Sequence, residues 1–204
     1  PLLSRVDKDT CHFKDGSSRD VDAIIMCTGY LHHFPFLPDD LRLQTGNRLW
    51  PVDLYKGVFW EANPKLMYLG MQDQFYTCNM FDAQAWYARD LILGKIELPS
   101  FKEMQSHTKE RHELETAQDN AAYAIDFQGE YTQMLIDDTD YPNFDIKGVN
   151  RTFMDWKHNK KDDIMGFRDK SHASLMTGTQ SPPHHTPWLE ALDDSLEAYL
   201  KQEK

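Results

Sequence analysis

The chain has 204 residues, with 40% hydrophobic and 12% aromatic side chains, so it can bury a sizeable core. Its 22 basic and 33 acidic side chains leave a net charge of −11, which argues against a nucleic-acid partner and against an anionic membrane surface. No apolar run approaches the roughly 20 residues of a bilayer span, and the first residues, PLLSRVDKDT, lack the apolar stretch of a signal peptide.

Taken in chain order, TCHFKD (10–15) alternates as a half-buried strand does, and Asp15-Gly16 supplies a turn. Val21 to Cys27 is a near-continuous apolar run, which suits a fully buried parallel strand. It stops at Thr28-Gly29. The chain starts at Pro1, just ahead of this hairpin pattern, so it reads as the C-terminal part of something longer. Residues 34–64, rich in Pro, Asp, Asn and aromatics, read as loops and short strands. KLMYLG (65–70) reads as a short buried strand ending on glycine.

Five helical stretches follow. Met80, Ala83, Trp86, Tyr87, Leu91 and Ile92 are helically spaced, and Gly94 and Pro99 end that helix. Residues 101–123 are polar and read as a solvated helix. FQGEYTQMLIDDTDYP reads as a helix stopped before Pro142, and 150–176 as a helical region containing Trp156. SPPHHTPW is a loop, and LEALDDSLEAYLKQEK a short terminal amphipathic helix.

The strand ends carry the candidate chemistry. Ligands of open α/β sheets sit outside the carboxyl ends of the strands, and a glycine there admits a close backbone approach. Thr28 and Gly29 fit that position, as does an ordinary strand-to-loop turn. Gly70-Met71-Gln72-Asp73-Gln74 repeats the pattern. Gln74 and Thr77 are placed to donate to a ligand's carbonyl or ring nitrogen, with the positive end of the following helix behind them. The plain alternative is helix capping by Thr77 or Asn79. Phe75-Tyr76, Trp86-Tyr87 and Trp156 are core aromatics on the simplest reading, and a planar ligand would want the same neighbours.

Other chemistries lack their signatures. His32-His33 and His184-His185 have no carboxylate or His set beside them, so no metal site is expected. Cys11, Cys27 and Cys78 are widely spaced and odd in number, which fits a reducing cytoplasm. Asp193-Asp194-Ser195 lacks a nucleophile elbow. No G-x-G occurs, so the chain has no dinucleotide fingerprint of its own.

VDAIIMCTGYLHHFPFL resembles the strand end of flavin-containing monooxygenases. LGMQDQFYTCNMFDAQAWYARDLILGKIELP resembles the next segment of their bacterial, trimethylamine-oxidising branch. So do NRLWPVDLYKGVFWEANPK, FQGEYTQMLIDDTDYPNFDI, FMDWKHNKKDDIM and MTGTQSPPHHTPWLEALDDSLEAYL. The resemblance implies an α/β fold, the C-terminal portion of a flavoprotein with two Rossmann-like FAD/NAD(P)-binding domains. Residues 1–30 would finish the NADPH-binding domain, 31–95 would return to the FAD-binding domain, and 96–204 would wrap over it.

By the same resemblance, Thr28 and Gly29 lie where the nicotinamide and flavin domains join, and a side chain at Gly29 would collide with the nucleotide or a crossing backbone. Gln74 and Thr77 lie against the FAD ring. Trp156 lies near the nicotinamide and substrate, and Phe75, where tryptophan is expected, forms a pocket wall. The implied reaction uses FAD, NADPH and O2 to oxygenate small tertiary amines or sulfides through a C4a-hydroperoxyflavin, without a catalytic triad on the protein. Both glycine loops belong to a missing N-terminal half, which would be this chain's partner, and a homodimer is possible. A non-catalytic fragment serving structure or assembly, and a Baeyer–Villiger or N-hydroxylating relative, remain as alternatives.

Overall fold

The computed structural model describes residues 2–181, apart from 30, 45, 47 and 118–120. The sequence expectations for His184-His185, for Asp193-Asp194-Ser195 and for the terminal helix lie outside the described residues.

The chain opens with an antiparallel meander of β1 (Leu3–Asp7), β2 (Thr10–Phe13) and β3 (Ser18–Asp20), in the order β1-β2-β3. Asp15 shapes the second turn by accepting from the Ser17 N–H at 3.0 Å and the Ser17 hydroxyl at 2.7 Å. The hairpin is therefore real, but its returning strand is Ser18–Asp20. Val21 to Cys27, expected as a buried parallel strand, is neither a strand nor buried. Residues 22–29 are all exposed, Ile25 at 86%. A strand needs a hydrogen-bonding neighbour. Among the described residues this stretch finds one bond, from Val21 N–H to the Asp9 carbonyl at 2.8 Å.

A short hairpin, β4 (Leu54–Tyr55) with β5 (Phe59–Trp60), lies at the centre of the remaining structure. Its turn places Lys56 and Gly57 at φ of 47° and 65°. KLMYLG contributes one isolated bridge, Met67 opposite Phe59, rather than a strand. Every strand pair among the described residues is antiparallel.

Four helices pack around this hairpin: α1 (Cys78–Ile92), α2 (Phe101–Thr116), α3 (Ala121–Asp137) and α4 (Ile146–Asp162). In α1, Met80, Ala83, Gln84, Tyr87 and Ala88 are buried at helical spacing and face the core. A reciprocal capping box starts α2: the Ser100 hydroxyl accepts from Glu103 N–H, and Glu103 accepts from Ser100 N–H at 2.9 Å. This helix is less solvated than its composition suggests, because Met104, Thr108 and Arg111 form a buried stripe. Asp145 caps α4 through the Gly148 N–H at 2.9 Å. Beyond it, residues 150–176 are helical only to Asp162 and over the 3-10 turn Phe167–Asp169. A bridge between Ala173 and Gln180 then closes a small hairpin.

Trp50 is the centre of the core. It is fully buried and meets Tyr131 edge-on at 5.1 Å and Phe127 at 6.2 Å. Around it lie Tyr55, Val58, Phe59, Met80, Tyr87, Met104 and Leu135. Glu115 anchors the Trp50 segment to α2 by accepting from Leu49 N–H at 2.9 Å and pairing with Arg48 at 3.2 Å.

The Gly57 turn tolerates no side chain. A Cβ there would lie 1.9 Å from Gln72 Nε2 and 2.9 Å from the Tyr131 hydroxyl, at a backbone angle that L-residues resist. Gly57→Ala is expected to cost on the order of 2–4 kcal/mol from strain and overpacking. The urea unfolding midpoint reads this directly, and a midpoint equal to wild type would contradict the packing described.

His107 on α2 lies between Trp50 (5.5 Å) and Tyr55 (5.1 Å). Burial first, then the nearby Lys56 and Arg111 cations, hold its imidazole below the ordinary value. The folded chain thus refuses a proton that the unfolded chain accepts once pH falls below about 6.5. The stability this neutral imidazole contributes is present above that value and is lost as pH falls. His107→Gln should therefore show a smaller drop in Tm than wild type between about pH 7 and pH 5, measured by thermal unfolding in matched buffers.

Candidate functional site

Gln74, Phe75, Thr77 and Trp156 line a single cleft of ≈430 Å³ with Thr152, Phe153 and His172. The first three come from the loop leading into α1. Trp156 comes from α4, distant in sequence. A second cleft of ≈740 Å³ shares Phe75 and Trp156 and extends past Met154 and Ile164 to Lys157, Lys160 and Lys161. The two aromatic side chains thus form a wall common to both.

Three local features equip the first cleft for a ligand. The Gln74 side-chain oxygen is shielded from solvent and has no hydrogen-bond partner among the described residues. A shielded amide oxygen left unmatched costs about 1–3 kcal/mol, so an N–H donor brought by a ligand would be favoured. Thr77 adopts φ 39°, ψ −104°, a conformation in which a β-branched residue is a true outlier. Such strain costs on the order of 1–3 kcal/mol and concentrates at ligand clamps. Finally, among the described residues no side chain caps α1: Thr77 makes no cap bond, and the Asn79 amide reaches Met176 Sδ at 3.0 Å instead. Thr77 is exposed and lines the cleft, and the positive end of α1 begins directly beside it.

Aromatic packing sets the walls. Phe153 stands 6.1 Å from Phe75 and 5.3 Å from Tyr76. Trp156 meets Phe167 edge-on at 5.2 Å, with Lys160 Nζ 5.3 Å from its ring centre. The Tyr76 hydroxyl is held above its usual range by burial and donates to Asn150, whose amide donates to Asp126 at 2.8 Å. This chain of bonds ties the loop to α4 and α3. The arrangement fits a planar, hydrogen-bonding ring such as a flavin: an acceptor without a partner, two kinds of donor and an aromatic wall. Nothing in it resembles an acid–base triad.

Thr28 and Gly29 are not part of this cleft; they belong to the exposed 22–29 stretch. Gly29 has φ +82° and nothing within 4 Å of a would-be Cβ. Within this chain its glycine is required by backbone conformation rather than by crowding. Thr152, Phe153 and His172 were not singled out from sequence. Helical spacing from Trp156 reaches Phe153 at i−3 and Thr152 at i−4, so that signal was available. His172 arrives from the small terminal hairpin, which no periodicity announces. Among the described residues no group of three or more His, Cys, Asp or Glu is placed to hold a metal, the three cysteines are free, and no helix is long and apolar enough to cross a membrane.

Comparison with known proteins gives this cleft a context. A family model described as FMO-like, flavin-binding monooxygenase-like, matches residues 2–144. The trimethylamine monooxygenase of Methylocella silvestris is 58% identical over 199 residues, which are 98% of this chain and 44% of that protein. The crystal structure of Tmm from Pelagibacter sp. strain HTCC7211 shares the fold at a TM-score of 0.82 and 49% identity, over 96% of this chain and 44% of that one. S-allyl-L-cysteine S-oxygenase from Allium sativum shares it at 0.65 and 25%, over 83% and 39%. The chain thus spans less than half the length of these relatives, and its mixed α/β architecture is that of FMO-type flavoproteins. With a match across most of its length, the chain belongs to the flavin-binding monooxygenase-like family.

Proposed function

We propose that this chain forms the flavin-ring and substrate side of an NADPH- and O2-dependent monooxygenase that oxygenates small tertiary amines, converting trimethylamine to its N-oxide. The observation that carries the reading is the gathering of Gln74, Phe75, Thr77 and Trp156 around one cleft. The 58% identity to a trimethylamine monooxygenase supports the choice of substrate class. On this reading residues 1–30 complete an NADPH-binding domain, 31–95 belong to the FAD-binding domain and 96–204 pack on it. The glycine loops that grip the two nucleotides come from an N-terminal portion.

When bound, FAD would supply the redox chemistry that passes electrons from NADPH to O2. The balance is amine, NADPH, a proton and O2 giving N-oxide, NADP+ and water. The residues of this chain bind, orient and exclude water. Gln74 would accept from a ring N–H, and Thr77 with the start of α1 would donate to ring acceptors. Phe75, Phe153 and Trp156 keep the reacting face dry, which strengthens every polar contact there. The substrate attacks through its nitrogen lone pair, so only the neutral amine reacts, and apolar walls favour that form.

A thioether offers a similar soft lone pair. Likeness to an S-oxygenase of known structure favours sulfides as second substrates. Competition between trimethylamine and dimethyl sulfide for one enzyme ranks the two.

In the full-length flavoenzyme carrying this segment, Gln74→Leu should weaken FAD retention about tenfold, the cost of one lost hydrogen bond to the ring. Fluorescence titration of the apoenzyme with FAD measures it; unaltered affinity together with an unaltered flavin spectrum in Gln74→Leu and Phe75→Ala would remove the flavin from this cleft.

Trimethylamine oxygenation, followed by N-oxide formation with flavin reduction not limiting, should rise with pH toward the pKa of the amine. A rate flat from mildly acidic to alkaline pH would contradict attack by the neutral amine.

A further inference from the structure

We infer that Gln128, on the buried face of α3, is a positioning residue for the ring-contacting loop; this rests on the flavin reading of the cleft given above. Its side chain is 1% exposed and lies outside the residues lining the cleft. Its carboxamide spans one residue of the loop. Oε1 accepts from the Phe75 N–H at 2.6 Å, and Nε2 donates to the Asp73 carbonyl. The peptide groups on both sides of Gln74 are therefore held by one rigid amide. Gln74 itself stays free to present its unpartnered oxygen.

The placement of Gln128 is itself fixed. One helical turn on, the Thr132 hydroxyl donates back to the Gln128 carbonyl at 2.9 Å. Three residues on, Tyr131 shares the same face of α3, and its hydroxyl accepts from Gln72 Nε2 at 3.1 Å. So α3 grips the loop at Gln72, Asp73 and Phe75, three points within four residues. A loop of this composition has no secondary structure to fix it. Two bonds from a buried amide define the backbone angles that aim Gln74 and set the plane of Phe75. Gln128 touches neither substrate nor cofactor cleft, so its role is exerted through Gln74 and Phe75 alone.

The test uses the full-length flavoenzyme with Gln128→Met, which keeps the volume and removes both bonds, and Gln128→Asn, which keeps the carboxamide but draws it back by one methylene, away from both partners. Three readouts separate the roles: FAD affinity of the apoenzyme, the visible circular dichroism of the bound flavin, and hydrogen exchange at the Phe75 amide. The expected result for Gln128→Met is faster exchange at Phe75, an altered flavin dichroism and FAD affinity lowered about tenfold, as two buried bonds are lost. Gln128→Asn should fall between Gln128→Met and wild type.

A fall in Tm with wild-type flavin dichroism and affinity would make Gln128 merely structural and overturn the inference. If Gln128→Met does not fold, an unchanged flavin site in Gln128→Asn overturns it equally. Gln74→Leu distinguishes the two layers. A flavin that responds to Gln74→Leu but not to the Gln128 variants refutes the positioning role. A flavin that responds to neither refutes the cleft assignment itself.

Discussion

The structure depends on one buried hydroxyl. Tyr131 Oη donates to the Lys56 carbonyl at 2.8 Å and accepts from Gln72 Nε2 at 3.1 Å and Gln84 Nε2 at 2.8 Å. Gln84 also accepts from the Gly70 N–H at 2.8 Å, while its own amide reaches Gln72 Oε1 at 2.9 Å. The β4–β5 turn, the 70–75 loop, α1 and α3 therefore meet at a single matched polar cluster. In a dry interior such bonds are individually strong, and any one left open is costly. Burial also raises the Tyr131 phenol above its usual range, so it remains a donor at any ordinary pH. The loop that presents Gln74, Phe75 and Thr77 to the cleft is held at its start by this cluster, while Trp156 and Phe153 come from α4.

Charge is handled by a separate device. On so acidic a chain the cations nearest the core rest on aromatic faces. Arg111 lies 4.2 Å from the Phe127 ring centre and 5.3 Å from that of Trp50. Lys56 lies 5.0 Å from the Tyr87 ring and pairs with Asp138. Ring quadrupoles offset part of the desolvation that burying these groups costs. The aromatic residues thus divide into two sets. Trp50, Phe127 and Tyr87 accommodate cations inside the fold, while Phe75, Phe153 and Trp156 line the cleft, Trp156 with Lys160 on its ring as well.

What the sequence made legible followed physical range. The helix at 78–92 was readable because Met80, Ala83 and Tyr87 repeat at the helical period and Gly94 stops them. The cleft residues Gln74 and Thr77 were readable from a local pattern, a glycine-ended apolar run followed by polar residues and a helix start. Val21 to Cys27 misled because an apolar run records a preference for burial, whereas a strand exists only with a pairing neighbour. Gln72, Gln84 and Gln128 were invisible for the opposite reason. A buried glutamine has the same letter as a solvated one, and its partners lie 12 to 59 residues away in the chain. The positive φ of Thr77 was equally unreadable, since nothing local demands it.

The exposed run Ala23–Cys27 has a consequence for handling the protein. It carries no charge and no proline, and it is β-branched at two successive positions, which is the composition of a self-associating segment. Its unpaired backbone can template a second copy of itself. Asp20 and Asp22 flank it on one side, and the net charge of −11 keeps molecules apart at low ionic strength. Added salt screens that repulsion while leaving the apolar run untouched. Exposed in this way, the run makes self-association of this segment sensitive to salt, and an N-terminal portion that completed the domain of residues 1–30 would remove that sensitivity by covering it.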